Sequence, residues 1–190
     1  MTTISAPEKK SGNTDARILR SREALYSAFL ALIEQKTLDQ ISIREIAAAA
    51  NVGHATFYRH YPSKDALLND LAADEMRKLV ALTLPVLDSS DLSASCLALC
   101  THISEHRRLW SSLLTGGAAG TLKEELLRIS REIADRYSVA GDNWMPQDLQ
   151  VNLVVGAILE VLSWWLRQTE PQPVATVAGY ISRCIASYQD

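Results

Sequence analysis

Apolar residues recur along the chain at spacings of three, four and seven, which is the period of a helix with one buried face. The first such stripe consists of Ile18, Leu25, Phe29, Leu32 and Ile33. No stretch sustains the alternation of apolar and polar residues that is typical of a half-buried strand. The pattern therefore predicts an all-α protein of about nine helices without an internal repeat.

Residues that typically begin or end helices divide the N-terminal third into short helices. Ser42 and Glu45 have the S-x-x-E spacing of a capping box, which predicts a helix start. Asn51 separates two apolar segments and tolerates the positive φ that turns a chain. Pro62 is expected to end the third helix, and Ser63 to cap a fourth that serves as a connector.

A short helix, a tight turn and a second short helix, braced by a preceding helix, can lay the later helix in the major groove of DNA. The third predicted helix suits this use, because Val52, Phe57 and Tyr61 can be buried while its other side chains are mostly hydrogen-bond donors. The outward positions of the third helix, with a donor on each neighbouring helix, predict DNA contacts from Arg44, Gly53, His54, Thr56, Tyr58, Arg59, His60 and Lys64. The alternative interpretation is a solvated helix face.

Charge is distributed unevenly, although the formal net charge is only -3. Residues 1–64 contain 9 Lys and Arg against 6 Asp and Glu, whereas the remainder contains 10 against 16. A basic excess at one end favours contact of that end with a polyanion, but an excess of this size is weak support alone.

The span "ISIREIAAAANVGHATFYRHYPSKDALL" resembles the DNA-binding region of the TetR family of bacterial transcriptional regulators, most specifically in "TFYRHYPSKD". The resemblance covers roughly Asp15 to Leu71. It implies base contacts from Arg44 and His54, and phosphate contacts from Thr56, Tyr58, His60 and Lys64. Asn51 stands where glycine is frequent in the family, and His54 occupies a variable position that would set operator sequence.

A second helical unit is expected after the connector, because Pro85 and "LDSSD" should end the fourth helix and Ser90 or Asp91 should cap the next. Further helices are predicted over 92–105, in "RRLWSSLL", and over about 122–137, 147–167 and 174–188. The predicted domains are a flexible tail (1–14), a helix-turn-helix domain (15–62), a connector (63–84) and a helical effector-binding and dimerisation domain (85–190).

The helix predicted over about 147–167 is apolar around most of its circumference, so part of it needs a cover beyond its own subunit. The last helix offers small residues for close packing. The expected interface consists of Val161, Trp165, Ala175, Ala178, Gly179, Ser182 and Ala186. The alternative is an ordinary core within one chain. The resemblance implies a homodimer formed by the final two helices, and hence a palindromic operator in double-stranded DNA.

Aromatic and flexible apolar side chains of the middle helices predict a small-molecule pocket. Its expected lining is Trp110, Leu113, Leu114, Tyr137, Trp144, Met145 and Trp164, with core packing as the competing interpretation of each. The resemblance implies a repressor released from DNA by an effector, here an apolar or aromatic one. The alternative is a regulator switched by a protein partner, or constitutive, without such a pocket.

Other functions are disfavoured. On a straight helix, Cys96 and Cys100 face away from His102 and His106, so no metal site is expected from these four, while a redox role for the thiol pair stays open. No phosphate-binding glycine loop or nucleophile with its base is recognisable, so neither enzyme activity nor a cofactor is expected. Glu160 within the most apolar stretch disfavours a membrane span, and a polar N-terminus disfavours export. The three cysteines fit a reducing cytoplasm, and the resemblance implies that of a bacterium.

Overall fold

The computed structural model describes residues 11–87, 91–137 and 145–187, with side chains described for 16–81, 91–136 and 145–187. Within these ranges the chain forms nine α-helices, one short 3-10 helix and no strand, which confirms the all-α prediction. The helices are α1 Ser11–Ile33, α2 Ile43–Ala49, α3 His54–His60, α4 Lys64–Leu87, α5 Leu92–Glu105, α6 Arg107–Thr115, α7 Ala119–Tyr137, α8 Gln147–Arg167 and α9 Val174–Ala186, with the 3-10 helix at Leu38–Gln40.

Several helix boundaries differ from the sequence prediction. α4 does not end at Pro85 but continues to Leu87, because a proline in the final turn removes only one helical hydrogen bond. α1 begins at Ser11, inside the predicted tail, whose residues 1–10 lie outside the described residues. α7 begins at Ala119 rather than near Leu122, so the glycine-rich break is shorter than expected. The bounds predicted for α8 are those observed.

The chain divides into two compact units, residues 1–67 and 68–190, whereas the sequence predicted boundaries at 62 and 84. In the first unit α1, α2 and α3 pack on one another. Leu25, Phe29, Ile46 and Phe57 are each 0% exposed and form its core. Ile18, predicted to share the apolar stripe of α1, is instead exposed, because the whole stretch 16–20 lies outside the packed part of the helix.

The second unit is built around α5, α8 and α9. α5 packs most extensively on α9, while α8 contacts α6, α7 and α9. Trp110, Leu113, Ile103 and Ile181 are fully buried there. Burying a large apolar side chain contributes about 1.5–3 kcal/mol relative to leaving it exposed, so these helices hold one another in place.

Polar contacts fix two further helix pairs in the second unit. Arg77 on α4 forms an ion pair with Glu125 on α7 at 3.2 Å, and Thr121 on α7 donates to Asn69 on α4 at 3.2 Å. At the start of α6, Nη2 of Arg107 donates to the carbonyl oxygens of Trp165, Leu166 and Gln168 at 2.8, 3.2 and 3.3 Å. Arg107 thus satisfies acceptors that the C-terminal end of α8 would leave unpaired.

The cysteine pair on α5 is buried. Cys96 is 3% exposed and Cys100 is 0% exposed. Burial raises the pKa of Cys96 to about 11 and that of Cys100 to about 12, where the neighbouring Cys96 adds to the shift. Because the thiolate is the form that reacts with oxidants, this environment argues against the redox role that the sequence left open.

Candidate nucleic-acid interface

The start of α2 is fixed by a capping box, as the sequence predicted. Oγ of Ser42 accepts from the backbone N–H of Glu45 at 3.2 Å, and Oε2 of Glu45 accepts from the backbone N–H of Ser42 at 3.0 Å. Lys36 adds an ion pair to Glu45 at 2.6 Å. The hydrogen bond from Lys36, followed by those from Ser42, lowers the pKa of Glu45 to about 2.

Asn51 makes the turn between α2 and α3. It has a φ of 52°, in the left-handed region that asparagine tolerates better than most residues. Directly after it, the N–H of Val52 donates back to the carbonyl oxygen of Ala47 at 2.9 Å. Gly53 then adopts an extended conformation and caps α3, so one tight turn separates the two helices. The predicted helix-turn-helix geometry is therefore present.

The inner side of α3 is anchored to α1. Phe57 is 0% exposed and Tyr61 is 6% exposed. Tyr61 Oη accepts from Nε of Arg22 at 3.2 Å, and its ring stacks on Tyr26 with centroids 6.4 Å apart. Tyr61 has the extended backbone expected before Pro62, which ends the helix. These contacts determine which side chains of α3 face outward.

The outer side of α3 carries the predicted donors. Gly53, His54, Tyr58 and Arg59 are exposed, and Thr56 is half-buried. The ring edges of His54 and Tyr58 meet with centroids 5.0 Å apart, and Nη2 of Arg59 donates to Oγ1 of Thr56 at 2.8 Å. Arg44 is exposed on α2. The helix thus presents hydroxyl, imidazole and guanidinium groups to solvent.

His60 and Lys64 have structural contacts that the sequence did not predict. His60 is half-buried, with Nε2 2.7 Å from Oγ of Ser21, and burial, then Arg59 and Arg22, lower its pKa. Nζ of Lys64 donates to the carbonyl oxygens of Leu38 at 2.5 Å and Ile41 at 3.0 Å, so two of its three donors are used within the unit. The contacts of Lys64 could not be predicted from sequence motifs, because backbone carbonyl oxygens are present at every residue.

The connector helix α4 begins as predicted. Oγ of Ser63 accepts from the backbone N–H of Ala66 at 3.1 Å, and Asp65 lies in the first turn. Both features favour a helix start at this point.

The two adjacent tryptophans of α8 lie the other way round from the prediction. Trp165, expected at a dimer interface, is 1% exposed, and its Nε1 donates to the carbonyl oxygen of Gln172 at 2.9 Å. Trp164, expected in a pocket, is 41% exposed and meets Tyr180 of α9 edge-on at 6.4 Å. The periodicity showed that both faces of α8 are apolar, but not which one its own subunit covers.

The other predicted interface residues are divided between core and surface. Ala178 is 4% exposed and belongs to the core of its own subunit, so it is not available for an interface. Ala175 and Ala186 are exposed, while Val161, Gly179 and Ser182 are half-buried. By length and composition α8 would suffice to cross a membrane, and 33% of its most apolar stretch is buried within the chain. Part of its apolar surface therefore remains uncovered.

Apart from the exposed Trp164, the predicted pocket residues that the structure describes are each buried in the second unit. Trp110 and Leu113 are 0% exposed, Leu114 is 5% and Met145 is 7%. Among the described residues, none accepts a hydrogen bond from the fully buried Nε1 of Trp110. Trp144 and the side chain of Tyr137 lie outside the described residues.

A further cluster of ligating side chains lies at the end of α5. One ligand atom each from His102, Glu105 and His106 lies within 4.8 Å of the others. Burial and then His106 lower the pKa of His102, against smaller opposing effects of Glu105 and Glu75. Glu105 was not among the ligands predicted from the sequence, where the two histidines were paired with the cysteines. The signal was the i, i+3, i+4 spacing, which places all three on one side of a helix.

Comparison with known proteins matches residues 21–71 to the profile of the family described as bacterial regulatory proteins, tetR family. An HTH-type transcriptional regulator of Bacillus subtilis is 38% identical over 69 residues, which are 36% of this chain and 18% of that protein. One from Mycobacterium bovis is 27% identical over 119 residues, 60% of this chain and 56% of that protein. The matched residues thus span at most about half the length of these relatives.

Solved structures share the fold over most of the chain. A TetR transcriptional regulator from Streptococcus agalactiae has a TM-score of 0.64 at 23% identity and covers 93% of this chain and 99% of its own. Thermus thermophilus FadR in complex with lauroyl-CoA has a TM-score of 0.64 at 17% identity, covering 87% and 93%. RolR in complex with resorcinol has a TM-score of 0.62 at 20% identity, covering 92% and 94%.

Proposed function

We propose that this chain, a TetR-family DNA-binding transcriptional regulator, acts as a dimeric repressor that leaves a palindromic operator when a small apolar or aromatic effector binds. The observation that carries the DNA-binding assignment is the α2–α3 pair joined at Asn51, with Phe57 buried and Tyr58 exposed on opposite sides of α3. A helix anchored in this way offers one face to the major groove. The proposed site of action is the bacterial cytoplasm, which contains the operator DNA.

In this proposal the side chains divide into two kinds of contact. His54, at the start of α3, and Arg44 of α2 are exposed and contact base edges. Tyr58, Arg59 and Thr56, with the backbone of Gly53, donate to phosphates. His60 and Lys64 contribute mainly by holding α3 and the start of α4 in place, and the third donor of Lys64 is available to a phosphate.

Dimerisation is supported by the uncovered aromatic surface of α8 and α9. Trp164 and Tyr180 form an exposed pair across the two helices, and Leu149 at the other end of α8 is 46% exposed. Aromatic anchors of this kind are enriched at protein interfaces. A second copy using the same surface gives a two-fold assembly, and two recognition helices related by a two-fold axis require a palindromic site.

An effector site is supported by the buried indole N–H of Trp110, which has no hydrogen-bond acceptor within the part of the chain that the structure describes. A buried donor without an acceptor is costly, by about 1–3 kcal/mol, so a ligand that supplies an acceptor gains this energy on binding. Leu113 and Leu114 of the same helix are also buried, and with the buried Met145 as a further proposed lining residue they favour an apolar or aromatic body for the ligand. RolR was solved with resorcinol and Thermus thermophilus FadR with lauroyl-CoA, each of which combines an apolar part with oxygen acceptors.

The connector α4 provides the physical link for the response. At its start Lys64 is bound to the loop before α2, and further along Asn69 and Arg77 are bound to α7. An effector that moves α7 would therefore pull on α4. If it prefers the state in which the two recognition helices are wrongly spaced, it lowers operator affinity by the same coupling energy.

The test begins with operator selection. The purified chain is mixed with genomic fragments of its bacterium, the retained fragments are sequenced, and the affinity for the recovered site is measured. Small phenols and acyl compounds are then titrated while tryptophan fluorescence and operator release are followed. Saturable quenching together with release supports the repressor proposal. Retention of no specific fragment overturns the DNA-binding assignment, whereas retention with no response to any compound overturns the effector alone.

Trp110→Phe sharpens the effector test, because it removes the N–H while keeping an aromatic ring. We expect compounds that carry an acceptor to bind the variant less tightly, while their hydrocarbon analogues bind both proteins alike. Leu126→Ile, a half-buried substitution on α7 that conserves volume, serves as the control.

A further inference from the structure

The end of α5 brings three potential metal ligands to one point. His102 and Glu105 lie in the last turn of α5, and His106 is at once the C-cap of α5 and the N-cap of α6. The two imidazole rings have centroids 4.9 Å apart, and a carboxylate oxygen of Glu105 lies within 4.8 Å of a ring nitrogen of each. His102 is half-buried and the other two are exposed, so the cluster opens to solvent on one side.

This donor set has a definite chemical preference. Two histidines at i and i+4 on one helix face can bind a single cation, and a carboxylate completes three ligands on one side of it. Imidazole nitrogens favour zinc and neighbouring first-row divalent ions over calcium and magnesium, which prefer all-oxygen sites. Three protein ligands leave room for water or an exchangeable ligand at the remaining position.

We propose that His102, Glu105 and His106 form a binding site for one divalent transition-metal ion, of the Zn²⁺ class, at the junction of α5 and α6. The proposal concerns the second unit alone and does not depend on DNA binding. The buried thiols of Cys96 and Cys100 take no part in it, because they lie on the packed side of α5.

The position of the site gives it a structural consequence. Backbone dihedrals at His106 depart from the helix, since this residue forms the corner between α5 and α6. The next residue, Arg107, holds the carbonyl oxygens at the end of α8. A metal that links His102 to His106 would fix this corner, and with it the anchor of α8 next to the exposed Trp164.

The experiment uses the full chain without an affinity tag, titrated with Zn²⁺ by calorimetry. We expect one ion per subunit, and affinity lowered more than about tenfold in His102→Gln, His106→Gln and Glu105→Gln, since even the loss of a supporting group around a metal weakens binding that much. Glu124→Gln is the matched control, because Glu124 is exposed on α7 and belongs to no cluster of ligating side chains among the described residues. It should bind Zn²⁺ like the wild type.

A second readout reports the location of the ion. The ring of His102 lies 6.3 Å from that of Trp110, so Co²⁺ bound at the site should quench tryptophan emission, and the quenching should be lost in Trp110→Phe. Glu105→Gln keeps both histidines and alters an exposed side chain, so it tests the site without disturbing the core. Zn²⁺ binding that is absent in the wild type, or equally tight in the double variant His102→Gln/His106→Gln, overturns the proposal.

Discussion

Nε2 of His60 lies 2.7 Å from the hydroxyl oxygen of Ser21, and this contact joins the last residue of α3 to α1. The histidine is flanked by Arg59 and Arg22, and its environment disfavours the charged imidazolium. His60 is therefore a neutral partner of a hydroxyl that orients α3 on α1, where the sequence suggested only an outward-facing donor.

The lowered pKa of His60 predicts a pH dependence of stability. The unfolded chain takes up this proton near the ordinary pKa of 6.5, whereas the folded chain takes it up only at lower pH. Because the unfolded state binds more protons in that window, the free energy of unfolding should fall as the pH decreases below about 6.5. Urea unfolding between pH 5 and 8 measures this slope.

His60→Asn should flatten that slope without abolishing it, because the pKa of His102 is also lowered by burial and contributes in the same direction. His54→Asn is the control, since His54 is exposed on the outer side of α3. An equal slope in wild type and His60→Asn would show that His60 is not responsible.

Substitutions on the outer side of α3 should separate affinity from specificity. Tyr58→Phe removes one hydroxyl donor at an exposed position and should weaken binding by a similar factor for all DNA sequences. His54→Ala should instead change which base is preferred, at a cost of about 1–3 kcal/mol on the original operator. Competition binding with a library of operator variants measures both, and Ser27→Ala on the exposed side of α1 is the control.

Lys64→Ala should reduce both stability and DNA affinity. Hydrogen bonds made by charged groups contribute about 1.5–3 kcal/mol, and Lys64 makes two to backbone carbonyls, so we expect a loss of roughly that size, reduced by its partial exposure. If its third donor also binds a phosphate, the slope of log affinity against log salt concentration drops by about 1. Urea unfolding and binding at several salt concentrations measure the two effects; an unchanged slope would confine Lys64 to the structural role.

Trp164→Glu should convert the proposed dimer to a monomer. A carboxylate on the exposed side of α8 would be buried without a partner in the assembly, whereas in the isolated subunit it reaches water. Leu97→Glu is the matched control, because Leu97 is 44% exposed on α5. Sedimentation equilibrium distinguishes the two, and a Trp164→Glu chain that stays dimeric would place the interface elsewhere.

The local features of the first unit could be predicted from the sequence, because each depends on residues that are close together in the chain. The capping box at Ser42, the turn at Asn51 and the helix end before Pro62 are set within a few residues, and all three were predicted. Lys64 could not be interpreted fully, since its acceptors lie 23 and 26 positions earlier in the main chain.

The second unit was less predictable for the same reason. Periodicity gave the bounds of α8 and showed that its circumference is apolar, but the direction of each indole depends on α6 and α9 packing against it. The environment of the Trp110 N–H, which finds no acceptor among the described residues, and the carbonyl contacts of Arg107 likewise depend on tertiary packing. Glu105 could have been predicted, because it lies at helical spacing from both histidines.

The opposed directions of Trp164 and Trp165 give the protein a built-in pair of optical reporters. The fluorescence of an indole shielded from water has a shorter wavelength than that of a solvated indole. The buried Trp165 therefore contributes emission at shorter wavelength, and the exposed Trp164 contributes emission at longer wavelength. If another copy covers Trp164, dilution should shift the emission maximum toward red as subunits separate. The dissociation constant of the dimer can then be measured from this shift on the unlabelled protein with its natural sequence.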